Sequence, residues 1–133
     1  MASERFWSPT TSSGSQSPFP NRFPRRGEIY EVDFGERQGS EQEGQRPCIV
    51  VSNNVNNQHG SVVLVAPMTT NLARAQYPQN SLVKGGRALP KDSVVLGEQV
   101  TVVSKSRLSR YRGELGSADV ADLNRALRVI FDL

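Results

Sequence analysis

The residues that could do chemistry in this 133-residue chain fall mainly in two short stretches about twenty residues apart. Gly39-Ser-Glu-Gln-Glu-Gly-Gln-Arg-Pro47 sets two carboxylates and Arg46 at the edge of an apolar run, and Ala66-Pro-Met-Thr-Thr70 sets two hydroxyls at the end of the next. A guanidinium aims a fork of N–H donors at phosphate oxygens, and a threonine hydroxyl can hold a phosphate or ribose oxygen. If the two runs are neighbouring strands, an arginine and a threonine meet at one end of a sheet. On these residues alone, Arg46 is equally suited to a structural ion pair with Glu41 or Glu43.

Other reactive constellations are missing. Gly113-Glu-Leu-Gly116 has neither the spacing nor the Lys-Ser/Thr of a phosphate-binding loop, and no Gly-x-Ser-x-Gly occurs. His59 is the only histidine, so a two-histidine phosphodiester mechanism is impossible within one chain. Cys48, the only cysteine, lies in an apolar run and reads as core rather than nucleophile. One cysteine excludes an internal disulfide framework and a cysteine-based zinc cluster, and suits a reducing compartment. No metal site and no cofactor are expected.

These residues need elements to position them. Glu28–Phe34 places Tyr30, Val32 and Phe34 on one face, the period of a half-buried strand. Gly35–Gly44 is polar and glycine-rich, a flexible loop. Arg46–Ser52 reads as a strand buried on both faces, with Pro47 near its start. Asn53–Gly60 reads as a turn-rich connection. Ser61–Ala66 is a third strand, stopped by Pro67, and Asn80–Lys84 a shorter one. Asp92–Leu96 and Gln99–Val103 are strand segments separated at Gly97 by a bend or bulge. Lys105, Arg107, Arg110 and Arg112, with Tyr111 among them, form a basic cluster before the last element, either a phosphate track or a solvated loop. Ser117 can cap a helix whose stripe is Val120, Leu123, Leu127 and Ile130. The fold class is therefore mainly β with a C-terminal helix, a small, bent antiparallel barrel.

Charge divides the chain differently. The net charge is +3, yet residues 1–26 alone carry four arginines against Glu4, and the remaining 107 residues balance at 12 basic and 12 acidic. Basicity thus belongs to a leader with six serines and four prolines in its first 24 residues, a composition unable to offset its own ordering entropy. Residues 1–25 are expected to be a flexible leader and 26–133 a single domain. The aromatics Phe19 and Phe23 leave open an arm packed on the body. No run approaches the ~18 apolar residues of a spanning helix, and no secretory signal is seen, so a cytoplasmic location is expected.

Arg26-Gly-Glu-Ile-Tyr-Glu-Val-Asp-Phe34, Gly39-Ser-Glu-Gln42, Gly44-Gln-Arg-Pro47 and Val50-Val-Ser-Asn53 together resemble the opening of the MazF/PemK family of toxins. Val65-Ala-Pro-Met-Thr-Thr70, Tyr77-Pro78, Glu98-Gln99 and Ser106-Arg-Leu108 follow in the family's order, so the resemblance spans about residues 26–133. It implies an SH3-like, PemK-like barrel. It also implies a homodimeric, metal-independent endoribonuclease that cuts single-stranded mRNA sequence-selectively and stops growth until an acidic antitoxin of the MazE type binds it. By motif position the catalytic pair is Arg46 and Thr69. Glu41 lies near the RNA, and Gln42, Thr70 and Gln99 are candidates for substrate contacts. A buried, backbone-bonded amide is the alternative role for Gln99. Two other functions remain compatible with this architecture: a toxin that poisons a protein such as a topoisomerase without cutting RNA, and a non-catalytic RNA-binding module.

Overall fold

The computed structural model describes residues 18–35, 44–86 and 88–133. Among these residues the elements run β1 (Glu28–Asp33), β2 (Gln45–Val50), α1 (Asn54–His59), β3 (Val62–Thr69), β4 (Ser81–Val83), β5 (Ser93–Val95), β6 (Thr101–Ser104), β7 (Leu108–Glu114) and α2 (Ser117–Phe131). Short 3-10 turns occupy Leu72–Gln76, Gly97–Gln99 and Lys105–Arg107. The strands form one antiparallel sheet in the order β4-β5-β3-β2-β1-β7, with β6 also on β3. The expected architecture is present, but the sheet is open rather than a closed barrel, because β7 pairs only with β1 and β4 only with β5.

Strands β1 to β3 bear apolar side chains on both faces, as predicted for β2. One face carries Tyr30, Val32, Cys48, Val50, Val63 and Val65. The other carries Ile29, Ile49, Ala66 and Met68 and packs against Val83, Val95 and Leu123. β1 is thus buried more fully than its alternation suggested. Its one buried charge, Glu28, is well satisfied. The carboxylate accepts from the Tyr30 hydroxyl (2.8 Å), the Arg25 N–H (2.7 Å) and the Asn21 amide (3.0 Å). These bonds hold the chain before β1 against the sheet, where Phe19 packs edge-on to Tyr30 with ring centroids 5.5 Å apart. The packed-arm reading therefore holds for Phe19, which is 6% exposed.

Several local expectations change. Asn53–Gly60 is not a mere turn: the Asn53 side chain accepts from the Asn56 N–H and caps the short helix α1. Pro67 does not stop β3. Its carbonyl accepts from the Leu96 N–H (2.9 Å), so its backbone faces the edge on which β6 pairs with Val62–Val65 and β5 with Met68–Thr69. Its missing N–H falls in the gap between those partners, where no ladder bond is lost. Residue Gly116, not Ser117, occupies the N-cap of α2 and makes no side-chain bond. The helix buries Leu123 and Ala126, while Ile130 and Phe131 remain exposed. No helix among the described residues is long and apolar enough to cross a membrane.

Candidate active site

The register of β2 on β3 explains where Arg46 points. Continuing the ladder past Cys48↔Pro67 sets Pro47 against Met68 and Arg46 against Thr69. Proline has no N–H to donate, so Met68 receives no ladder bond from Pro47. The Arg46 guanidinium takes that place, its Nη2 donating to the Met68 carbonyl at 3.3 Å. The Arg-Pro order thus draws the cation across the strand ends toward the threonine.

Thr69 is the last residue of β3, half-buried like Arg46. Its hydroxyl oxygen accepts the Asn71 N–H at 3.2 Å, and the Asn71 side chain in turn caps the following 3-10 turn through the Ala73 N–H. The turn fixes the hydroxyl oxygen and leaves its proton to be donated. Among the described residues the structure therefore brings the two sequence-selected catalytic residues to one end of the sheet. They share the strand face of Tyr30 and Cys48.

The neighbouring residues Pro47 and Thr70 point to the opposite face. There the rows of the second core run out into a cavity of about 180 Å³. Its lining includes Glu31, Pro47, Thr70, Leu89, Lys91 and Arg112. Glu31 and Arg112 form an ion pair inside it, both side chains largely buried. Arg112 reaches Glu31 because β7 bulges there: Ile29 pairs with Gly113 and Tyr30 with Tyr111, which leaves Arg112 without a partner in the ladder.

The other candidates fare unevenly. Glu41 and Gln42 lie outside the described residues. The described residues on either side of that stretch are tied by Phe34 N–H to Gly44 O (2.9 Å) and Gly44 N–H to Gly35 O (3.0 Å). Thr70 lines the cavity, on the other face from Thr69. Gln99 is half-buried in the 3-10 turn between β5 and β6 rather than in a strand. The basic cluster is not a loop of four solvated cations. Residues from Leu108 onward form β7, Lys105 is buried, Tyr111 packs on Tyr30, and Arg112 is paired with Glu31. Arg107 and Arg110 remain exposed.

Local electrostatics narrow the reactive groups. Burial pushes the Cys48 thiol well above the ordinary range, with the Arg46 charge opposing weakly, so it stays protonated and is no nucleophile. Desolvation lowers Lys105 to about 8. Sequence reasoning missed Glu31 and Lys91, and it placed Arg112 in the basic cluster without its carboxylate partner. The one available signal was alternation in Leu108–Glu114, where Arg110 and Arg112 share a period of two.

Known proteins resemble the chain over most of its length. The family model for PemK-like, MazF-like toxins of type II toxin–antitoxin systems matches residues 25–131. The endoribonuclease MazF of Staphylococcus saprophyticus is 34% identical over 110 residues, covering 82% of this chain and 92% of that protein. The Staphylococcus epidermidis protein of the same name gives the same identity and coverage. Among solved structures, an endoribonuclease in complex with its cognate antitoxin from a mycobacterial species superposes with a TM-score of 0.70 at 28% identity. That match covers 83% of this chain and 96% of the other.

Proposed function

The chain belongs to the PemK-like, MazF-like toxins of type II toxin–antitoxin systems, and from that premise we propose that it is an endoribonuclease whose active centre is Arg46 with Thr69. The observation that carries this reading is the Arg46 guanidinium held on the Met68 carbonyl, one residue from the Thr69 hydroxyl. A cation and a fixed O–H donor at one point are suited to the charge that builds on a phosphoryl group in its transition state.

The reaction proposed is transesterification within single-stranded RNA. A flexible backbone lets a ribose 2′-oxygen attack its own 3′-phosphate in line with the departing 5′-oxygen. The new O–P bond forms as the P–O5′ bond breaks, leaving a 2′,3′-cyclic phosphate and a 5′-hydroxyl. The 2′-proton leaves to a base, and the 5′-oxygen takes one up. Arg46 stabilises the dianionic phosphorane-like state, and Thr69 donates to a phosphoryl oxygen. An arginine is too weakly acidic to be an efficient base near neutrality, so Arg46 is assigned charge stabilisation. No metal ion enters the scheme. Glu41 and Gln42, which precede β2 in the sequence, contribute to substrate binding, and Thr70 and Gln99 contact substrate.

We assign the protein a cytoplasmic role as a homodimer restrained by an acidic antitoxin segment. The match to a solved endoribonuclease that is itself bound to its cognate antitoxin supports the partner. The dimer is supported by an uncovered apolar face. Val62 and Leu64 of β3, Val102 of β6 and Phe131 of α2 are exposed. They lie beside a pocket of about 270 Å³ lined by Leu64, Val100, Leu127 and Phe131. A second copy covers this face, which continues the second core beyond the end of α2.

The test is digestion of a long, unstructured RNA in chelator with mapping of the new 5′ ends. Cuts at a recurrent sequence, lost in Arg46→Ala and Thr69→Ala, support the reading. Intact RNA with the wild-type protein overturns it.

A further inference from the structure

We infer that the cavity closed by the Glu31–Arg112 pair is a nucleobase subsite that selects guanine next to the scissile phosphate. This rests on the endoribonuclease reading above and specifies which part of the substrate the other face of the sheet takes.

Position is the first argument. Pro47 and Thr70 line the cavity, and each directly adjoins one member of the catalytic pair, Arg46 and Thr69. Successive residues of a strand point to opposite faces, so the same two strand ends offer phosphate chemistry on one side and a cavity on the other. A single strand crossing those ends sets a phosphate on Arg46 and Thr69 and turns an adjoining base into the cavity.

Shape and chemistry are the second. At about 180 Å³ the space suits one planar ring system and not a stacked pair. Pro47 and Leu89 give it apolar walls for the faces of a base, the pattern by which unstacked RNA bases are held. The Glu31 carboxylate is an acceptor only, and Arg112 a donor only. Side by side, they match the edge of guanine, whose N1–H and N2–H2 both donate to the carboxylate while O6 and N7 accept from the guanidinium. Uracil (N3–H), adenine (N6–H2) and cytosine (N4–H2) each offer the carboxylate only one donor group on that edge. Without such a partner, opening the pair leaves a largely buried charge uncompensated, which turns a wrong base away.

The pair is also built for this place rather than left over from folding. Arg112 sits in the bulge of β7 and has no ladder partner, and its side chain crosses to a residue 81 positions earlier in the chain. Lys91 on the cavity rim provides a cation for the phosphate that follows the bound base.

The experiment is cleavage of a randomised single-stranded RNA pool by the purified full chain, reading base frequencies around every mapped cut. The subsite predicts that guanine exceeds the other three bases by roughly tenfold at one position within two nucleotides of the cut. In Glu31→Gln and in Arg112→Gln that preference falls to near unity at that position alone. The loss is carried in KM, with kcat on the best sequence nearly unchanged. A reversed pair, Glu31→Arg with Arg112→Glu, keeps the charges matched and guards against a folding defect. It too loses the preference while its melting temperature stays close to that of the wild type. Cuts with no such preference in the wild-type protein, or a preference unaltered in all three variants, overturn the subsite and leave the endoribonuclease intact. A pool left uncut by the wild-type protein overturns both.

Discussion

The two faces of strands β1 to β3 are both packed, yet they end differently. The face of Tyr30, Cys48 and Val65 is closed in part by the chain's own arm, through Phe19. At the ends of β2 and β3 it passes into Arg46 and Thr69. The face of Ile29, Ile49 and Met68 is closed by α2 and by β4 and β5, and ends in the cavity with its buried Glu31–Arg112 pair. On the first face, among the described residues, the cation leans on a backbone carbonyl. On the second, the cation already has its carboxylate. An arginine held by a neutral acceptor is suited to stabilise a charge that appears during reaction. An arginine held by a carboxylate discriminates among neutral hydrogen-bonding partners.

That contrast predicts that changes on the first face alter rate, and changes on the second alter choice. The largest effect belongs to Arg46→Ala. Losing one preorganised electrostatic donor costs roughly 10²–10³ in rate, so kcat falls by about that factor with the melting temperature nearly unchanged. Near-normal turnover would remove Arg46 from the mechanism. Phe19→Ala tests the arm as scaffold rather than chemistry. Truncating a buried phenylalanine costs about 3 kcal/mol, visible in denaturant unfolding, while cleavage per folded molecule stays at the wild-type level. Thr69→Ala is milder than Arg46→Ala, because a neutral donor is roughly half as strong as a charged one, and Thr69→Ser restores most of the rate.

Much of this site was legible because local rules governed it. The apolar runs marked β1, β2 and β3, and the Arg46-Pro47 and Thr69 positions followed from family order. The ladder then supplied what no spacing gave, namely that Pro47 frees the Met68 carbonyl for Arg46. Strand β7 escaped because Leu108 is its only buried residue, so its alternation carries no apolar face to mark it. Helix α1 escaped because its Asn-rich run has weak helix propensity, and only Asn53 as cap and the buried Asn57 reveal why it forms. The Glu31–Arg112 pair was invisible for a simpler reason. Two charges 81 residues apart have no local signature, and their meeting depends on the register of β7 on β1.

A further prediction concerns Lys105, which lies outside the strand-end contrast and serves as its control. This lysine is 2% exposed, and burial lowers its pKa from 10.5 to about 8. Between those values the unfolded chain holds one proton more than the folded chain at this site, so its contribution to stability rises with pH. Below about 8 the full cost of the buried charge is present. Melting curves from pH 7 to about pH 10 should therefore show the wild-type protein gaining stability relative to Lys105→Met. The base preference at the cut is the same in both proteins.

The central claim is that Arg46 and Thr69 assist attack by a ribose 2′-oxygen on its neighbouring phosphate. Single-turnover cleavage of one RNA oligonucleotide, compared with the same oligonucleotide carrying a single 2′-deoxyribose at the mapped cut, tests it directly. The account predicts that the unmodified strand is cut in chelator to a 2′,3′-cyclic phosphate and a 5′-hydroxyl, and that the deoxy-substituted strand stays whole at that position. Cleavage of the deoxy-substituted strand at a comparable rate would contradict it.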